Sequence, residues 1–400
     1  MLQVLSLGDG RGQLLAQIAG RTPKMEQIML NTACGRVLAQ DIVAKSDLPD
    51  FTRSSVDGWA VVAADTFGAS AALPALLECR GEVEMGEQPS FSLENGFCAA
   101  VWTGGELPQG ADAMVMLEDG ETLPGGQVAI YGATSPGRHV VFRGEDAAAG
   151  QLVLPAGKRL SARDVGALAA IGETKVSVRA MPRVCVLSTG DELIDPADVP
   201  RGAQIRDCNG PMLTAACEQA GASAVFCGRI ADDASLLKET MRSLAENCDL
   251  LLLSGGSSAG AKDAAARCLG ELGSLLFHGL AVKPGKPTLA GTIGETLVVG
   301  LPGHPAAAYL VFHELVRPLL AALQGETLVE RTIPAALASA IPSNHGREEL
   351  VPVLLHEGIA THIPSKSGVI TTLARADGYF RIPRDAEGLP QGARVDVILF

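Results

Sequence analysis

The chain has 400 residues, of which 47% are apolar and 19% are charged, and its formal net charge at pH 7 is −13. This length exceeds the roughly 300 residues that one hydrophobic core supports, so we expect several domains. The composition, with 46 Gly and 23 Pro, is typical of a folded, turn-rich chain and excludes a disordered one. The acidic balance argues against nucleic-acid or anionic-membrane binding, which needs a basic footprint. An anionic ligand would have to be held by local backbone N–H groups, lysines or a metal ion.

The nine cysteines indicate a reducing compartment. Their number is odd, no Cys-x-x-Cys pair occurs, and several lie in apolar, strand-like runs, as Cys185 and Cys227 do. Reduced, buried thiols explain this pattern better than a disulfide framework or a metal cluster. The N-terminal sequence lacks the pattern of a secretory signal, and no uncharged apolar run approaches the roughly 18 residues of a membrane span. We therefore expect a soluble, cytoplasmic protein that binds neither nucleic acid nor membrane.

The first 50 residues predict two helices and a short extended piece. The helical stretches are Leu14–Gly20 and Met25–Leu38, and the extended piece is Asp41–Val43, before a turn-rich linker. From Gly58 to about Gly144, short apolar runs separated by glycine and proline are typical of a small β-rich module.

A further helix follows this module. It begins at the capping-box sequence Ser161-Ala-Arg-Asp164 and ends at Gly172. This segment could return to pack on the N-terminal one. We therefore predict a discontinuous N-terminal domain of helices and linkers over residues 1–50 and 145–180, with an inserted β-rich domain over residues 51–144.

Strands and helices alternate after Pro182. The predicted strands are Val184–Leu187, Ala224–Cys227, Leu250–Leu253, Pro287–Ala290 and Thr296–Val299. The predicted helices are Pro211–Ala220, Ala234–Glu246, Ala264–Leu272 and one opened by Pro305. This alternation specifies a doubly wound, mostly parallel sheet covered on both faces. We predict this α/β domain over residues 181–325 and a C-terminal β domain over residues 326–400.

Glycines, hydroxyls and carboxylates follow four of the predicted strands. The loops are Ser188–Glu192, Gly228–Asp233, Ser254–Asp263 and Gly300–Pro305. Ligands of open α/β sheets bind beyond the carboxyl ends of the strands, so we expect these loops to form one site. Paired glycines let backbone N–H groups approach a phosphate. Because no G-x-x-x-x-G-K-[ST] motif occurs, nucleotide triphosphate hydrolysis is not favoured.

The charges of this predicted site are mixed. Its carboxylates would repel a phosphate unless a hard divalent cation, most simply Mg²⁺, intervenes. Lys283-Pro-Gly-Lys286-Pro carries two ammonium groups on a stiff turn, with a solvated basic loop as the less favoured alternative. Structural alternatives also exist for the acidic residues. Asp232 or Asp233 could cap the next helix, and Asp263 would be favourable near a helix start without any ligand.

Several segments resemble the molybdopterin molybdenumtransferase family, which includes bacterial MoeA and the gephyrin E-domain. In order along almost the whole chain, they are Asp47–Val61, Thr103–Met116, Arg143–Asp146, Leu187–Leu193, Ser254–Gly260, Lys283–Pro287 and Gly300–Pro305. The resemblance implies an elongated homodimer of four-domain subunits, with a molybdopterin-binding α/β domain and a C-terminal β-barrel-like domain. It also implies an active cleft between the α/β domain of one subunit and the β-rich module of the other.

The resemblance further implies a reaction. The enzyme would insert molybdate into adenylylated molybdopterin and release AMP with the help of Mg²⁺, and contacts with other molybdenum cofactor synthesis proteins are expected. Since the dithiolene sulfurs of the substrate supply the ligands of molybdenum, protein cysteines need not take part. Residues that match functional positions of the family are Asp57, Thr103, Asp146, Glu192, Asp232, Asp263 and Lys283.

Two further groups of residues follow from this comparison. The expected metal ligands are Glu192, Asp232 and Asp263. The expected binding residues for the pterin and its phosphates are Ser188, Thr189, Gly190, Gly255, Gly256, Ser257, Ser258, Lys286, Pro302, Gly303 and His304.

The sequence departs from the family pattern at five positions. His304 replaces the asparagine of a usual Gly-Asn-Pro turn, and Gly279 stands where some members have a second lysine; the other departures are Trp59, Ser257 and Ala307. These changes leave the choice between molybdate and tungstate open.

Two other functions stay open. One is a phosphoanhydride-cleaving enzyme of the CinA-like type, against which the matches at Asp57 and Thr103 count. The other is a catalytically idle, gephyrin-like scaffold, against which the retained carboxylates count.

Overall fold

A computed structural model of the chain describes residues 4–255, 259–326, 328–363 and 368–400, with the backbone alone described over residues 259–263. The elements before residue 50 are helix α1 (Leu7–Ala16), strand β1 (Met25–Met29), a 3-10 turn (Leu30–Thr32) and strand β2 (Ile42–Val43).

Helix α1 packs into the α/β domain. Its N-cap Ser6 accepts a hydrogen bond from the Asp9 backbone N–H at 3.1 Å, and Leu14 is buried in the core of the sheet domain. At Gly10, an added Cβ would lie 2.8 Å from Leu280 Cδ2, so glycine permits this close packing. The helix predicted to begin at residue 14 therefore begins earlier in the chain. The glycines before residue 14 lower helix propensity and conceal its true start.

The helix predicted over Met25–Leu38 is wrong. Met25–Met29 is strand β1, paired antiparallel with Lys175–Arg179, and only a 3-10 turn follows it. The Met, Glu and Gln side chains of this segment have good helix propensity, which suggested a helix. Pairing with a distant strand overrides that local preference.

The inserted β-rich module contains eight strands. They are β3 (Arg53–Ser54), β4 (Gly58–Val61), β5 (Ala75–Val83), β6 (Phe97–Val101), β7 (Ala113–Met116), β8 (Gly120–Thr122), β9 (Gln127–Ile130) and β10 (Val140–Val141), with 3-10 turns at Ala63–Thr66 and Leu117–Asp119. Six of them form one sheet in the order β7-β4-β6-β5-β9-β8. Strands β3 and β10 pair with each other, so the chain enters and leaves the module side by side.

The return segment contains strand β11 (Leu152–Leu154), helix α2 (Ala162–Ala170) and strand β12 (Lys175–Arg179). Strand β11 pairs with β2 and β12 pairs with β1, so the two halves of this region are joined by two separate two-stranded sheets and share one core. The predicted capping box is confirmed, because the Asp164 carboxylate accepts a hydrogen bond from the Ser161 backbone N–H at 2.8 Å.

Over its described residues, the α/β domain contains nine strands and five helices. The strands are β13 (Arg183–Thr189), β14 (Leu193–Ile194), β15 (Ile205–Arg206), β16 (Ser223–Ile230), β17 (Leu250–Gly255), β18 (Ser274–His278), β19 (Val282–Lys283), β20 (Leu289–Ile293) and β21 (Thr296–Leu301). The helices are α3 (Asn209–Gln219), α4 (Ala234–Ala245), α5 (Ala259–Leu272), α6 (Pro305–Val311) and α7 (Arg317–Leu323), with a π-helical turn (Phe312–Val316) between the last two.

Six of these strands form the central sheet, in the order β16-β13-β17-β21-β20-β18. The first four are parallel neighbours, and β20 runs antiparallel to both of its neighbours. Apolar clusters cover both faces of the sheet. The mostly parallel, doubly wound sheet predicted from the sequence is confirmed.

The C-terminal region is a closed β-barrel. Its elements are β22 (Thr332–Leu337), β23 (Ile341–Pro342), β24 (Glu348–His356), β25 (Ile359–His362), helix α8 (Ile370–Leu373), β26 (Gly378–Ile382), β27 (Gly388–Leu389) and β28 (Arg394–Leu399). The ring β24-β25-β22-β28-β26 closes because β26 also pairs with β24. Strand β19 of the α/β domain adds to this barrel, parallel to β24.

One helical stretch is long and apolar enough to cross a membrane by length and composition alone. It is Pro305–Leu323, with 19 residues and a mean hydropathy of 1.4. Because 72% of it is buried inside the protein, it has the surroundings of a core helix.

Candidate active site

The carboxyl ends of β16, β13, β17 and β21 lie at one edge of the sheet, since these neighbours run parallel. The four loops singled out in the sequence therefore begin side by side, as predicted. Their backbones approach closely. Gly255 has φ +138°, and an added Cβ there would lie 2.0 Å from Thr189 O, while one on Gly303 would lie 3.6 Å from Gly255 Cα. Glycine is required at Gly255 for this contact.

Two expected binding groups at this edge differ in their surroundings, since one is engaged within the protein and the other is buried without a described partner. The Gly190 N–H donates to Ile230 O at 3.1 Å, so it already has an acceptor. Ser188 is fully buried, and its hydroxyl has no hydrogen-bond partner among the described residues. Gly256, Ser257 and Ser258 lie outside the described residues. The expected phosphate cradle is therefore described only in part.

Asn209, at the start of α3, ties two of these loops together. Its Nδ2 donates to Ser254 Oγ and to Gly303 O, each at 2.8 Å, and the residue is 7% exposed. Beside it, Asp207 is buried, with Oδ1 accepting from the Gly210 N–H at 3.0 Å. Sequence reasoning missed both residues. The available signal was the run Asp207-Cys-Asn-Gly-Pro, with polar side chains immediately before a predicted helix.

An acidic group lies where β13 and β16 end. Asp191 Oδ1 accepts a hydrogen bond from the Asp232 N–H at 3.0 Å. Partial burial, together with the charges of Asp191 and Glu192, raises the pKa of Asp232 above the usual aspartate value. Negative charge is therefore incompletely compensated at this point.

Asp233, and not Asp232, caps helix α4. The Asp233 carboxylate accepts hydrogen bonds from the Ser235 and Leu236 N–H groups, each at 2.8 Å. The capping alternative thus applies to Asp233 alone. Asp232 remains with the acidic group.

The expected metal triad is described only in part. The structure places Glu192 and Asp232 on adjacent loops, but the side chain of Asp263 lies outside the described residues. Among the side chains that the structure does describe, no group of three His, Cys, Asp or Glu residues is arranged to hold a metal ion.

A cavity of about 520 Å³ lies where the α/β domain meets the barrel. The α/β domain contributes Lys283, Lys286 and the loop Pro302–His304, all expected from the sequence. The barrel contributes Arg347, Glu349 and His362, which sequence reasoning missed because no motif marks them. The lining therefore combines Lys283, Lys286 and Arg347 as fixed cations with one carboxylate.

An ion pair and a neutral imidazole define the charge distribution in this cavity. Lys283 Nζ lies 2.9 Å from Glu349 Oε1, with side-chain exposures of 47% and 15%. Burial lowers the pKa of His362, against a smaller raising effect of Glu349, so this imidazole is neutral at neutral pH.

The departures from the family pattern have different surroundings. His304 and Ala307 line the cavity. Gly279 has φ +114°, a conformation in which a side chain is strained, so glycine suits this backbone. Trp59 is buried in the core of the inserted module. Ser257 lies outside the described residues.

A second polar cluster lies in and beside the inserted module. The backbone N–H and the hydroxyl of Thr103 both donate to Asp57 Oδ1, each at 2.7 Å. These hydrogen bonds hold the pKa of Asp57 below its usual value. The Asp146 N–H donates to Leu48 O at 3.0 Å. None of Asp57, Thr103 and Asp146 lines the cavity of the same chain. The expected site residues thus lie in separate groups, which include the acidic group at the sheet edge, the cavity lining and the pair of Asp57 and Thr103.

Known proteins are similar to this chain along its whole length. Three family models match in order: "MoeA N-terminal region (domain I and II)" over residues 6–172, "Probable molybdopterin binding domain" over residues 185–322, and "MoeA C-terminal region (domain IV)" over residues 334–400. Molybdopterin molybdenumtransferase 2 of Mycobacterium tuberculosis is 33% identical over 384 residues, which cover 92% of this chain and 94% of the relative. Molybdopterin molybdenumtransferase of Bacillus subtilis is 31% identical over 388 residues, covering 94% and 89%.

Solved structures extend this similarity to the fold. A molybdopterin biosynthesis moeA protein from Pyrococcus horikoshii OT3 superposes with a TM-score of 0.87 at 32% identity, covering 100% of both chains. The matched regions include the inserted module and the barrel as well as the α/β domain. The chain belongs to the molybdopterin molybdenumtransferase family.

Proposed function

We propose that this protein acts in molybdenum cofactor biosynthesis as a molybdopterin molybdenumtransferase, inserting molybdate into adenylylated molybdopterin and releasing AMP. Relatives that match nearly the whole chain carry that name. The observation that carries the proposal is the cation-lined cavity beside the glycine-rich edge of the sheet. A CinA-like enzyme on the α/β domain alone leaves the matches in the flanking regions unexplained.

The cavity is suited to an oxyanion and part of an organic substrate. Its volume of about 520 Å³ lies within the usual range for small-molecule sites. Lys283, Lys286 and Arg347 would attract molybdate despite the acidic net charge of the chain. The same cations would stabilise negative charge on the phosphate as the anhydride breaks and AMP leaves. Tungstate has the same charge and shape, so it is expected to compete.

The acidic group is suited to Mg²⁺. Its donors are hard oxygens, and the pKa of Asp232 is raised by partial burial and by the neighbouring charges of Asp191 and Glu192, which a cation would compensate. Mg²⁺ is usually held by one or two carboxylates, with water and phosphate oxygens completing its shell. Glu192 and Asp232, together with Asp263, would hold the ion. When bound, Mg²⁺ would neutralise charge on the phosphoanhydride.

We further propose a homodimer with shared clefts. Asp57 and Thr103 form a preorganised pair, and neither this pair nor Asp146 lines the cavity of its own chain. Apolar side chains close to them in sequence are exposed, namely Phe51 (38%), Trp102 (36%) and Phe142 (50%). If these side chains form one contiguous patch, they would be suited to an interaction surface. A partner subunit that covers this surface would bring the three site residues to its own α/β loops.

We place the protein in the cytoplasm, where adenylylated molybdopterin would be delivered by another protein of the same biosynthesis. All nine cysteines are free thiols, in keeping with a reducing compartment.

The decisive experiment is incubation of the protein with adenylylated molybdopterin, Mg²⁺ and either molybdate or tungstate. We expect AMP release that depends on both the oxyanion and Mg²⁺. If neither molybdate nor tungstate led to AMP release, the proposal would be wrong. Omitting Mg²⁺ is the matched control for the metal.

A further inference from the structure

Glu349 places a carboxylate inside the cavity that we assign to an oxyanion. It lies on β24 directly opposite Lys283 on β19, where these two strands pair in parallel. The carboxylate lies 2.9 Å from Lys283 Nζ and also accepts a hydrogen bond from Ser343 Oγ at 2.6 Å. The side chain is thus fixed from two directions and directed at a cation of the site.

This carboxylate opposes the charge of the rest of the lining. Among the described residues that line the cavity, Glu349 is the sole acidic one, against Lys283, Lys286 and Arg347. With a side-chain exposure of 15%, its charge is screened less than that of a surface residue. A dianion in the cavity would be repelled by Glu349 and would compete with it for Lys283.

Fold stability alone explains this residue poorly. An ion pair with one partly exposed member contributes little to the free energy of unfolding, and a neutral glutamine would preserve most of the cross-strand packing. The carboxylate, however, lowers the attraction of the cavity for anions. A site evolved only to bind its anion tightly would not retain it.

We infer that Glu349 is a resident counter-anion of the cavity, which holds the Lys283 ammonium until an oxyanion displaces it and thereby limits how tightly the oxyanion binds. This inference rests on the proposed function and deepens it. Tight binding of the free oxyanion would stabilise the ground state without assisting its transfer to the dithiolene. Glu349 is therefore a positioning residue that keeps the oxyanion transferable.

The test is direct binding of molybdate alone, measured by calorimetry on the full-length protein. We expect Glu349→Gln to bind molybdate about tenfold more tightly than the wild type, the size expected for removing one unit charge at short range in a partly hydrated site. Sulfate should gain affinity as well, because the released charge is not specific to molybdenum. Unchanged or weaker molybdate binding by a folded Glu349→Gln protein would overturn the inference.

Glu330→Gln is the matched control. Glu330 also forms an ion pair at 2.6 Å, with Arg381, and does not line the cavity. Its substitution changes the net charge by the same amount, so molybdate affinity should stay at the wild-type value. An equal gain in Glu330→Gln would contradict a local effect. Should Glu349→Gln fail to fold, Glu349→Ala offers a second variant, for which a gain in affinity is again expected.

A double-mutant cycle tests the competition for Lys283 itself. In a Lys283→Gln background, the effect of Glu349→Gln on molybdate affinity should shrink clearly, because the contested cation is gone. An undiminished effect would overturn the competition. If neither the wild type nor Glu349→Gln binds molybdate, the proposed oxyanion cavity fails as well. Binding by the wild type with no gain in Glu349→Gln overturns this inference alone.

Discussion

Asp232 and Asp233 are neighbours in the chain but have different surroundings. Asp233 accepts two backbone hydrogen bonds at the start of α4, whereas Asp232 lies beside Asp191 and Glu192. Residue type and position in the sequence could not separate these roles, because either carboxylate could have reached the helix start. Their backbone geometry decides between them.

The two substitutions should therefore affect different properties. Asp233→Ala should lower the free energy of unfolding by about 1 kcal/mol, the usual loss for an N-cap, and should leave AMP release largely intact. Asp232→Asn should retain stability, because it removes a charge that is disfavoured in the folded state, and should lose most Mg²⁺-dependent AMP release. Urea denaturation and the AMP assay measure the two effects. The reverse pattern would remove Asp232 from the metal site.

His313 is a buried titratable residue outside the cavity. Burial, with a smaller contribution from the Arg317 charge, lowers its pKa to about 3. The imidazole packs between the rings of Tyr309 and Phe400, and its Nδ1 has no partner among the described residues. It therefore remains neutral in the folded protein under mildly acidic conditions.

This histidine should make stability depend on pH. The unfolded chain takes up a proton below a pH of about 6.5, whereas folded His313 does not until about pH 3. Its contribution to stability is thus complete above about pH 6.5 and is lost progressively as the pH falls toward 3, by at most about 1.4 kcal/mol per pH unit. In the His313→Phe protein, the free energy of unfolding should fall less steeply with decreasing pH, by the contribution of one proton. Urea denaturation at several pH values measures this slope. An identical slope in both proteins would contradict the assignment.

At the scale of elements, Asn209 connects the end of β17 to the loop after β21. Its two hydrogen bonds hold Ser254 and the Gly303 carbonyl in fixed relation. The two loops they join carry expected binding residues, so their relative position should affect catalysis. Asn209 contacts these loops from α3 and is a positioning residue.

Asn209→Ala should lower kcat/KM for AMP release about tenfold or more, since a small displacement of binding groups is costly. Asn209→Asp should be at least as damaging, because an acceptor would then face the Gly303 carbonyl. Asn247→Ala is the control, as its side chain makes only a long, exposed contact of 3.4 Å to Ser243 O. Wild-type kcat/KM values in Asn209→Ala and Asn209→Asp as well as in the control would exclude a positioning role for Asn209.

Strand β18 was missed, but the other five strands of the central sheet could be predicted from the sequence because they contain continuous apolar runs that need no distant information. Strand β1 could not, because Met25–Met29 has the propensity of a helix and becomes a strand through pairing with β12. The same reason applies to the candidate site. Lys283 and the glycine loops were predicted from local motifs, whereas Arg347, Glu349 and His362 reach the cavity only through contact between domains. The domain boundaries at residues 50, 144, 180 and 325 stay predictions.

At the scale of the whole molecule, the α/β domain and the barrel are joined by a buried polar contact. Glu314 in the π-helical turn has a fully buried side chain and accepts hydrogen bonds from Tyr379 Oη at 2.8 Å and Arg381 Nε at 2.7 Å. The inserted module instead carries its expected site residues on an exposed surface. This distribution supports the proposal that a second subunit completes the cleft.

Mixing two inactive variants should restore activity if the clefts are shared. In a dimer of Asp57→Asn and Glu192→Gln subunits, one cleft carries both substitutions and the other carries neither. Random assembly after co-expression makes half of the dimers mixed, so AMP release should reach about a quarter of the wild-type rate. Each variant alone should be inactive. A mixture without AMP release would place both residues in a cleft within one chain, and light scattering reporting a monomer would argue the same.

Lys283 lies on strand β19, which belongs to the α/β domain by its position in the chain. The backbone of this strand, however, pairs with strand β24 of the barrel. A shortened protein ending after α7 would keep every strand of the central sheet but lose the partner strand of Lys283. The parallel sheet and its loops are thus not expected to suffice for activity, because the C-terminal barrel supplies the partner strand of Lys283 and part of the cavity lining. If the chain were cleaved between α7 and β22, the two fragments would have to remain associated to keep Lys283 in its position.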